Sequence, residues 1–99
     1  MPYFIETFDA PERQGSRRRF YQQHLEFLSE KSALLLACGA KLDDQGEHAL
    51  GGVYLVDVDS RAEAELFIKG DPFHLNKLFQ NVEITRWRKA YLGGMCFLS

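Results

Sequence analysis

The segment GGVYLVDVDSRAEAELFIK, residues 51–69, decides the fold because it predicts a strand followed directly by a helix. Its first eight residues, 51–58, form an apolar run that is typical of a strand. Ser60 is a candidate N-cap, and Glu63 follows three residues later, which is the spacing of a capping box. The helix that this box opens is predicted over 61–69.

The next four residues, GDPF at 70–73, place a glycine and a proline on either side of a carboxylate. Gly70 is a candidate C-cap, and Pro72 prevents the helix from continuing. Asp71 is ambiguous when taken alone, because Gly-Asp-Pro is also a common turn composition. A short helical turn is predicted over 73–78.

The remaining elements follow from hydrophobic periodicity. They are a strand over 3–9, a helix over 17–31 with Ser16 as its N-cap, a strand over 34–41 and a strand over 81–90. The order is strand, helix, strand, strand, helix, strand. The economical solution is an α+β, ferredoxin-like βαββαβ fold, with one antiparallel sheet and two helices on one face.

The strand at 51–58 has apolar side chains on both of its faces. Val53 and Leu55 point one way, and Tyr54 and Val56 point the other. Two helices can cover only one face of the sheet, and an uncovered apolar face of this size would be a liability. A second copy of the chain is the simplest cover, so we predict a homodimer.

Composition limits the possible partners. The chain has 99 residues, of which 45% are hydrophobic, and this describes a single domain over 1–99 with a core at 1–90 and an apolar tail at 91–99. The net charge is −2, which offers no cationic field for nucleic acid. The sequence contains no run of about 18 apolar residues, so no membrane span is predicted. Cys38 and Cys96 suggest no disulfide framework, so the cytoplasm is the expected location.

The histidines give little information by themselves. His24 follows Phe20 and precedes Leu28 by one helical turn each, so it points toward the core and could simply donate a hydrogen bond to the backbone. His48 and His74 have no companions at metal-ligand spacing, so neither a metal nor a cofactor is predicted. Cys38 lies in an apolar strand and is expected to be an inert core thiol.

Several segments together resemble the YciI-like (YCII-related) family of the dimeric α/β-barrel superfamily. They are RRRFYQQHLEFL at 17–28, LLLACGAKL at 34–42, the stretch at 51–73 and VEITRWRKAY at 82–91. The family pattern pairs His-Leu in the first helix with Asp-Pro-aromatic after the second, which here are His24-Leu25 and Asp71-Pro72-Phe73. The resemblance also implies that the subunits pair into a dimeric α/β barrel.

The resemblance implies a small enzyme whose histidine and aspartate meet in a cleft. Relatives include a dehydrochlorinase of chlorinated hydroxyquinols and muconolactone isomerases. By the same resemblance His24 is the catalytic acid or base and Asp71 orients it, since imidazole can both accept and donate a proton near neutrality. Arg17, Phe73 and Tyr54 are the expected substrate-binding residues, and the expected ligand is a small organic acid or phenol.

The sequence also departs from the family pattern. Gly39-Ala40 stands where many members have Gly-Pro, and Gly52 stands where many have a serine. The substrate therefore does not transfer from relatives. A non-catalytic small-molecule-binding or accessory domain of the same fold is the alternative, and haem binding, known elsewhere in the superfamily, is a third possibility.

Overall fold

The computed structural model describes residues 1–98. Its elements follow the order strand, helices, two strands, helices, strand and a short terminal hairpin, with 3-10 turns at Pro11–Arg13 and Ser32–Leu34. The elements are β1 (Tyr3–Asp9), α1 (Gln14–Arg19), α2 (Tyr21–Glu30), β2 (Leu35–Leu42), β3 (Ala49–Val56), α3 (Arg61–Lys69), α4 (Pro72–Leu75), β4 (Phe79–Arg86), β5 (Tyr91–Leu92) and β6 (Met95–Cys96).

Strands β1 to β4 form one antiparallel sheet in the order β2-β3-β1-β4. In the two central strands Ile5 lies opposite Tyr54, and Ile5 also lies opposite Ile84 of β4. These residues share the face on which α3 contacts β1 and β4. The predicted α+β, ferredoxin-like fold is therefore confirmed.

The core lies between this face and the helices. It combines every second residue of the strands with the inward faces of α2 and α3, as a period of two in a strand and of 3.6 in a helix requires. Its buried members include Ile5, Tyr54, Val56, Phe27, Ala64, Phe67 and Ile68. On the opposite face Phe4, Phe8, Val53 and Leu55 remain partly exposed in the single chain.

The first helix differs from the prediction, because it is broken at Phe20 into α1 and α2. Phe20 has φ −106° and ψ 14°, and its N–H bonds the carbonyl of Ser16. Ser16 lies inside α1, and no side-chain cap bond is made at the start of that helix. The predicted N-cap at Ser16 is therefore wrong.

The last strand also ends earlier than predicted, at Arg86 and not at residue 90. Arg86 pairs with Tyr3, the first residue of β1. The N–H of Trp87 still donates to the carbonyl of Pro2 at 2.9 Å, but Pro2 has no N–H to return a bond, so the ladder stops there. By contrast, the predicted N-cap at Ser60 is confirmed, although Glu63 closes the motif through the Ser60 hydroxyl and not through its backbone N–H. The N–H of Glu63 donates to Ser60 Oγ at 3.2 Å, and Ser60 Oγ donates to Glu63 Oε1 at 3.1 Å.

The C-terminal tail forms a two-stranded hairpin, β5–β6. Gly93 and Gly94 make its turn with φ of +58° and +78°, a region in which glycine carries no side-chain penalty. The side chains of Tyr91 and Met95 stay exposed, so within this chain the tail does not bury its apolar groups. Among residues 1–98 we find no helix with the length and apolar character needed to cross a membrane.

Candidate functional site

Asp71 is fixed by the turn between α3 and α4. It is the N-cap of α4, with Pro72 at the first helical position, and its Oδ1 accepts the N–H of Phe73 at 2.9 Å. The turn places the carboxylate under the helices, where Asp71 is 0% exposed. A buried carboxylate needs hydrogen-bond donors to remain ionised.

His24 supplies one of these donors from the core-facing side of α2. Its Nδ1 lies 2.9 Å from Asp71 Oδ1 and 3.0 Å from Oδ2. An ionised carboxylate only accepts hydrogen bonds, so Nδ1 carries the hydrogen and Nε2 of the neutral ring is left as an acceptor. The imidazole is also stacked on the Phe73 ring, with centroids 4.0 Å apart and planes 12° apart.

Tyr54 supplies a further donor from β3. Its hydroxyl donates to Asp71 Oδ2 at 2.8 Å. Burial, and after it the negative charge of Asp71, raises the pKa of Tyr54 far above its ordinary value. The phenol therefore stays protonated, and Asp71 accepts from Phe73, His24 and Tyr54 together.

Arg17 completes the cluster from α1. Its Nε and Nη2 donate to the two carboxylate oxygens of Asp9 at 2.7 and 3.0 Å, a bidentate pair that fixes the guanidinium plane. Its Cζ lies 4.8 Å from the centroid of Phe73, so this ring contacts both Arg17 and His24. Phe73 is 1% exposed and holds the two functional groups in place from behind.

A cleft of about 210 Å³ opens between α2 and the β2–β3 part of the sheet. Leu25 and Leu28 line its helical side, and Ala40 and Gly52 line its sheet side. His24 and Arg17 also reach it, from α2 and α1.

Two polar atoms of these residues are open to solvent. Neither Nε2 of His24 nor Nη1 of Arg17 has a hydrogen-bond partner within residues 1–98. Over the same residues no buried side-chain nitrogen or oxygen lacks a partner, so both atoms are solvent-accessible. The cleft thus combines a proton acceptor, a cationic donor and apolar walls.

A larger hollow of about 360 Å³ adjoins the cleft, since both include Arg17 and Tyr21. Its other side chains, among them Arg18 and Glu47, are mostly exposed and carry charges of both signs. His24 does not line it, so the smaller cleft is the candidate site.

All five residues proposed from the sequence lie in this one cluster. The expectation that the histidine and aspartate meet in the cleft needs correction, since Asp71 is sealed behind His24 and only the imidazole opens to it. Phe73 presents no exposed surface to a ligand, and the Tyr54 hydroxyl is engaged by Asp71, although the Tyr54 side chain lines the cleft.

The sequence reasoning missed Asp9. The alternation of β1 contained the signal, because Tyr3, Ile5, Thr7 and Asp9 share one parity and are all buried. A carboxylate in such a position requires a cationic partner. The prediction that Cys38 lies in the core is wrong, because β2 is an edge strand and Cys38 is exposed.

Comparisons with known proteins agree with this architecture. The solved structure of 5-chloro-2-hydroxyhydroquinone dehydrochlorinase (TftG) from Burkholderia phenoliruptrix AC1100, in complex with 2,5-dihydroxybenzoquinone, is 25% identical. The match covers 89% of this chain and 94% of that chain, with a TM-score of 0.81.

A proposed antibiotic biosynthesis monooxygenase from Bacteroides thetaiotaomicron VPI-5482 is 13% identical, with a TM-score of 0.56 and coverage of 94% of this chain and 91% of that one, and shares the fold alone. No curated protein matches the chain significantly. The family profile of the YCII-related domain matches residues 1–88. Because that match spans most of the sequence, the chain belongs to the YCII-related domain family.

Proposed function

We propose that the chain is a small acid–base catalyst in which His24 transfers the proton and Asp71 orients the imidazole. One observation carries this proposal: Nδ1 of His24 is held by a buried carboxylate, while its Nε2 has no hydrogen-bond partner within residues 1–98 and the side chain lines the cleft. Such an arrangement fixes the tautomer and stabilises the imidazolium that forms when Nε2 takes a proton.

The proposed roles divide between the two open atoms. Nε2 removes a proton from a hydroxyl or an activated carbon of the substrate. Nη1 of Arg17, held in place by Asp9, donates to the oxygen on which negative charge develops, a type of stabilisation that is strong where water is largely excluded. The imidazolium then returns the proton to the product or releases it to solvent.

The proposed substrate is a small organic acid or phenol. The cleft volume of about 210 Å³ is below the ~300–1,000 Å³ of pockets for drug-sized ligands, so a single ring fills it. The similar enzyme from Burkholderia is by name a dehydrochlorinase of a chlorinated hydroxyquinol. An elimination fits our site once a hydroxyl proton has moved to the ring carbon that bears the chlorine. Loss of a second hydroxyl proton then shifts its bonding electrons into the new C=O and C=C bonds, and chloride leaves with the bonding pair of the broken C–Cl bond.

The test uses 5-chloro-2-hydroxyhydroquinone and measures chloride release against a protein-free blank. We expect the wild-type protein to accelerate release, and His24→Gln to lose about 10²–10⁴-fold of that rate. His74→Gln is the matched control, because His74 lies on α4 outside the cleft lining. Equal rates for His24→Gln and wild type would refute the role of His24.

A non-catalytic binding domain is the second candidate. Gly52 favours it, because this position in the cleft wall offers no hydroxyl, whereas the resemblance to the family leads us to expect a serine there. A binder would be stabilised against heat by a ring ligand and would return that ligand chemically intact. Recovery of an altered product would exclude this alternative.

We also propose that a second copy of the chain covers the free face of the sheet. On that face Phe4, Phe8 and Leu55 are only partly buried, and the described helices pack on the other side. Lys41 Nζ bonds Glu6 at 3.1 Å and lies 3.5 Å from the Phe8 centroid, which neutralises charge within the apolar surface. Such a face resembles a core cut in half, as in obligate dimers.

We propose that residues 1–99 form a single domain and that the protein is located in the cytoplasm, as the sequence predicts. The two free, exposed thiols of Cys38 and Cys96 support a reducing compartment.

A further inference from the structure

Strand β3 contains two adjacent glycines whose structural reasons differ. A Cβ added to Gly51 would lie 1.9 Å from the carbonyl oxygen of Thr7, a distance that no side chain tolerates. Gly51 is therefore required by the close approach of β1 and β3.

Gly52 has no such requirement. A Cβ at Gly52 would meet its three nearest atoms, on Gly39, Thr7 and Tyr54, at 3.4 Å each, which is the lower limit of ordinary van der Waals contact. The positive-φ glycines of residues 1–98 are at 46, 93 and 94, so the backbone at 52 does not demand glycine either. A glycine inside a strand weakens it, which makes the missing side chain at 52 a feature that packing leaves unexplained.

The location of Gly52 provides an explanation. Its register partners are Thr7 on β1 and Ala40 on β2, and it shares the helix-facing side of the sheet with Tyr54. It lines the candidate cleft beside Ala40, opposite Leu25 and Leu28 of α2. The sheet side of the cleft is therefore nearly bare backbone at this point, and the helical side is aliphatic.

We propose that Gly52 determines the ligand specificity of the cleft, because the space over its α-carbon receives one face of a planar ring. The ring lies between the sheet backbone and the two leucines, which contact its other face. This inference rests on the proposed function for one point, namely that the ring edge faces Nε2 of His24. A bare, pleated strand surface fits a flat ligand better than a branched aliphatic one.

Contacts with the Thr7 hydroxyl hold the backbone of this surface in place. The N–H of Gly52 donates to Thr7 Oγ1 at 2.8 Å, and Thr7 Oγ1 lies 3.5 Å from the Gly52 carbonyl. The backbone at 52 is thus held by a buried side chain and does not need to turn its polar groups toward the ligand.

The test is an NMR titration with two planar probes, 2,5-dihydroxybenzoquinone and benzoate. We expect the wild-type protein to bind at least one probe and Gly52→Ala to weaken that binding at least tenfold. Gly15→Ala is the matched control, since a Cβ there meets nothing within 4 Å and Gly15 does not line the cleft. Its binding should stay within twofold of wild type.

Three results would overturn the inference: a wild-type protein that binds neither probe, a loss of less than tenfold in Gly52→Ala, or an equal loss in Gly15→Ala. If Gly52→Ala does not fold, Ala40→Val fills the same space from the neighbouring strand, and the same threshold applies.

This test is separable from that of the proposed function. Unchanged ring binding in Gly52→Ala, together with turnover lost in His24→Gln, would remove the specificity role and leave the catalyst. Ring binding lost in Gly52→Ala, in a wild-type protein without turnover, would leave a ring-binding slot without catalysis.

Discussion

Nδ1 of His24 lies 2.9 Å from Oδ1 of Asp71, although the two residues are 47 positions apart in the chain. The contact joins the middle of α2 to the turn after α3, and the Tyr54 hydroxyl reaches the same carboxylate from β3. Three separate elements therefore determine which nitrogen of His24 carries the hydrogen. That relationship can be measured without knowing the substrate.

We predict that Asp71→Asn changes the tautomer of His24. In the wild-type protein the neutral ring should carry its hydrogen on Nδ1, whereas an amide at position 71 can donate to Nδ1 and so favours the Nε2–H form. Long-range ¹H–¹⁵N correlation spectra report the tautomer directly. An unchanged tautomer in Asp71→Asn would remove the orienting role of the carboxylate.

We predict that the free energy of unfolding falls less steeply with alkaline pH in Tyr54→Phe than in wild type. The pKa of Tyr54 is raised in the folded protein, so above about pH 10 the unfolded chain has released a proton that the folded protein retains. The free energy of unfolding should therefore fall with pH, and this residue should contribute about 1.4 kcal/mol per pH unit. Urea unfolding between pH 9 and 11, in this variant and in wild type, measures the difference.

Tyr21→Phe is the control for that experiment, because Tyr21 is half exposed and, unlike Tyr54, makes no hydrogen bond to Asp71. It should keep the wild-type slope. Equal slopes for Tyr54→Phe and wild type would contradict the buried hydroxyl–carboxylate bond.

We predict that Cys38 is a slow nucleophile despite its exposure. Partial burial, and after it the negative charge of Asp71, raises the pKa of Cys38 to about 11. At pH 8 about one thiol in a thousand is then ionised, so alkylation by iodoacetamide should be about 10² times slower than that of free cysteine. The measurement uses a Cys96→Ser background, so that only Cys38 reacts.

The same rate should rise in Asp71→Asn, because that change removes the charge. A Cys38 that reacted as fast as free cysteine would show that neither burial nor the charge of Asp71 raises the pKa of its thiol.

We predict that Leu55→Glu yields a monomer. A carboxylate on the free face of the sheet would have to lose its hydration on dimerisation, a cost that the apolar contact cannot offset. Sedimentation at micromolar concentration distinguishes the two states. Leu66→Glu is the control, since Leu66 is exposed on α3 on the helical side, and a wild-type protein that sediments as a monomer would refute the dimer.

The sequence predicted those features that depend on local patterns. The alternation in β1 and β3 located the sheet, Ser60 and Glu63 located the start of α3, and the helical spacing of His24 gave its inward direction. The break at Phe20 was not predictable, because it interrupts a continuous amphipathic pattern. The depth of Asp71 depends on how α4 packs, and the exposure of Cys38 depends on strand order, so neither follows from a local window.

Two hydrogen-bonded contacts of the site were also not predictable from the sequence. The Tyr54–Asp71 and Arg17–Asp9 contacts join separate elements, and only the packed chain brings them together. The resemblance to the family supplied the pairing of His24 with Asp71, which spacing alone did not reveal.

The turn that presents Asp71 comes late in the chain, after β3 and α3 have been made. During synthesis the imidazole of α2 leaves the ribosome first and has no carboxylate to hold its ring until the later turn has emerged and docked. A nascent or truncated chain that stops before this turn therefore has no oriented base, so the protein gains its proposed chemistry only as folding is completed.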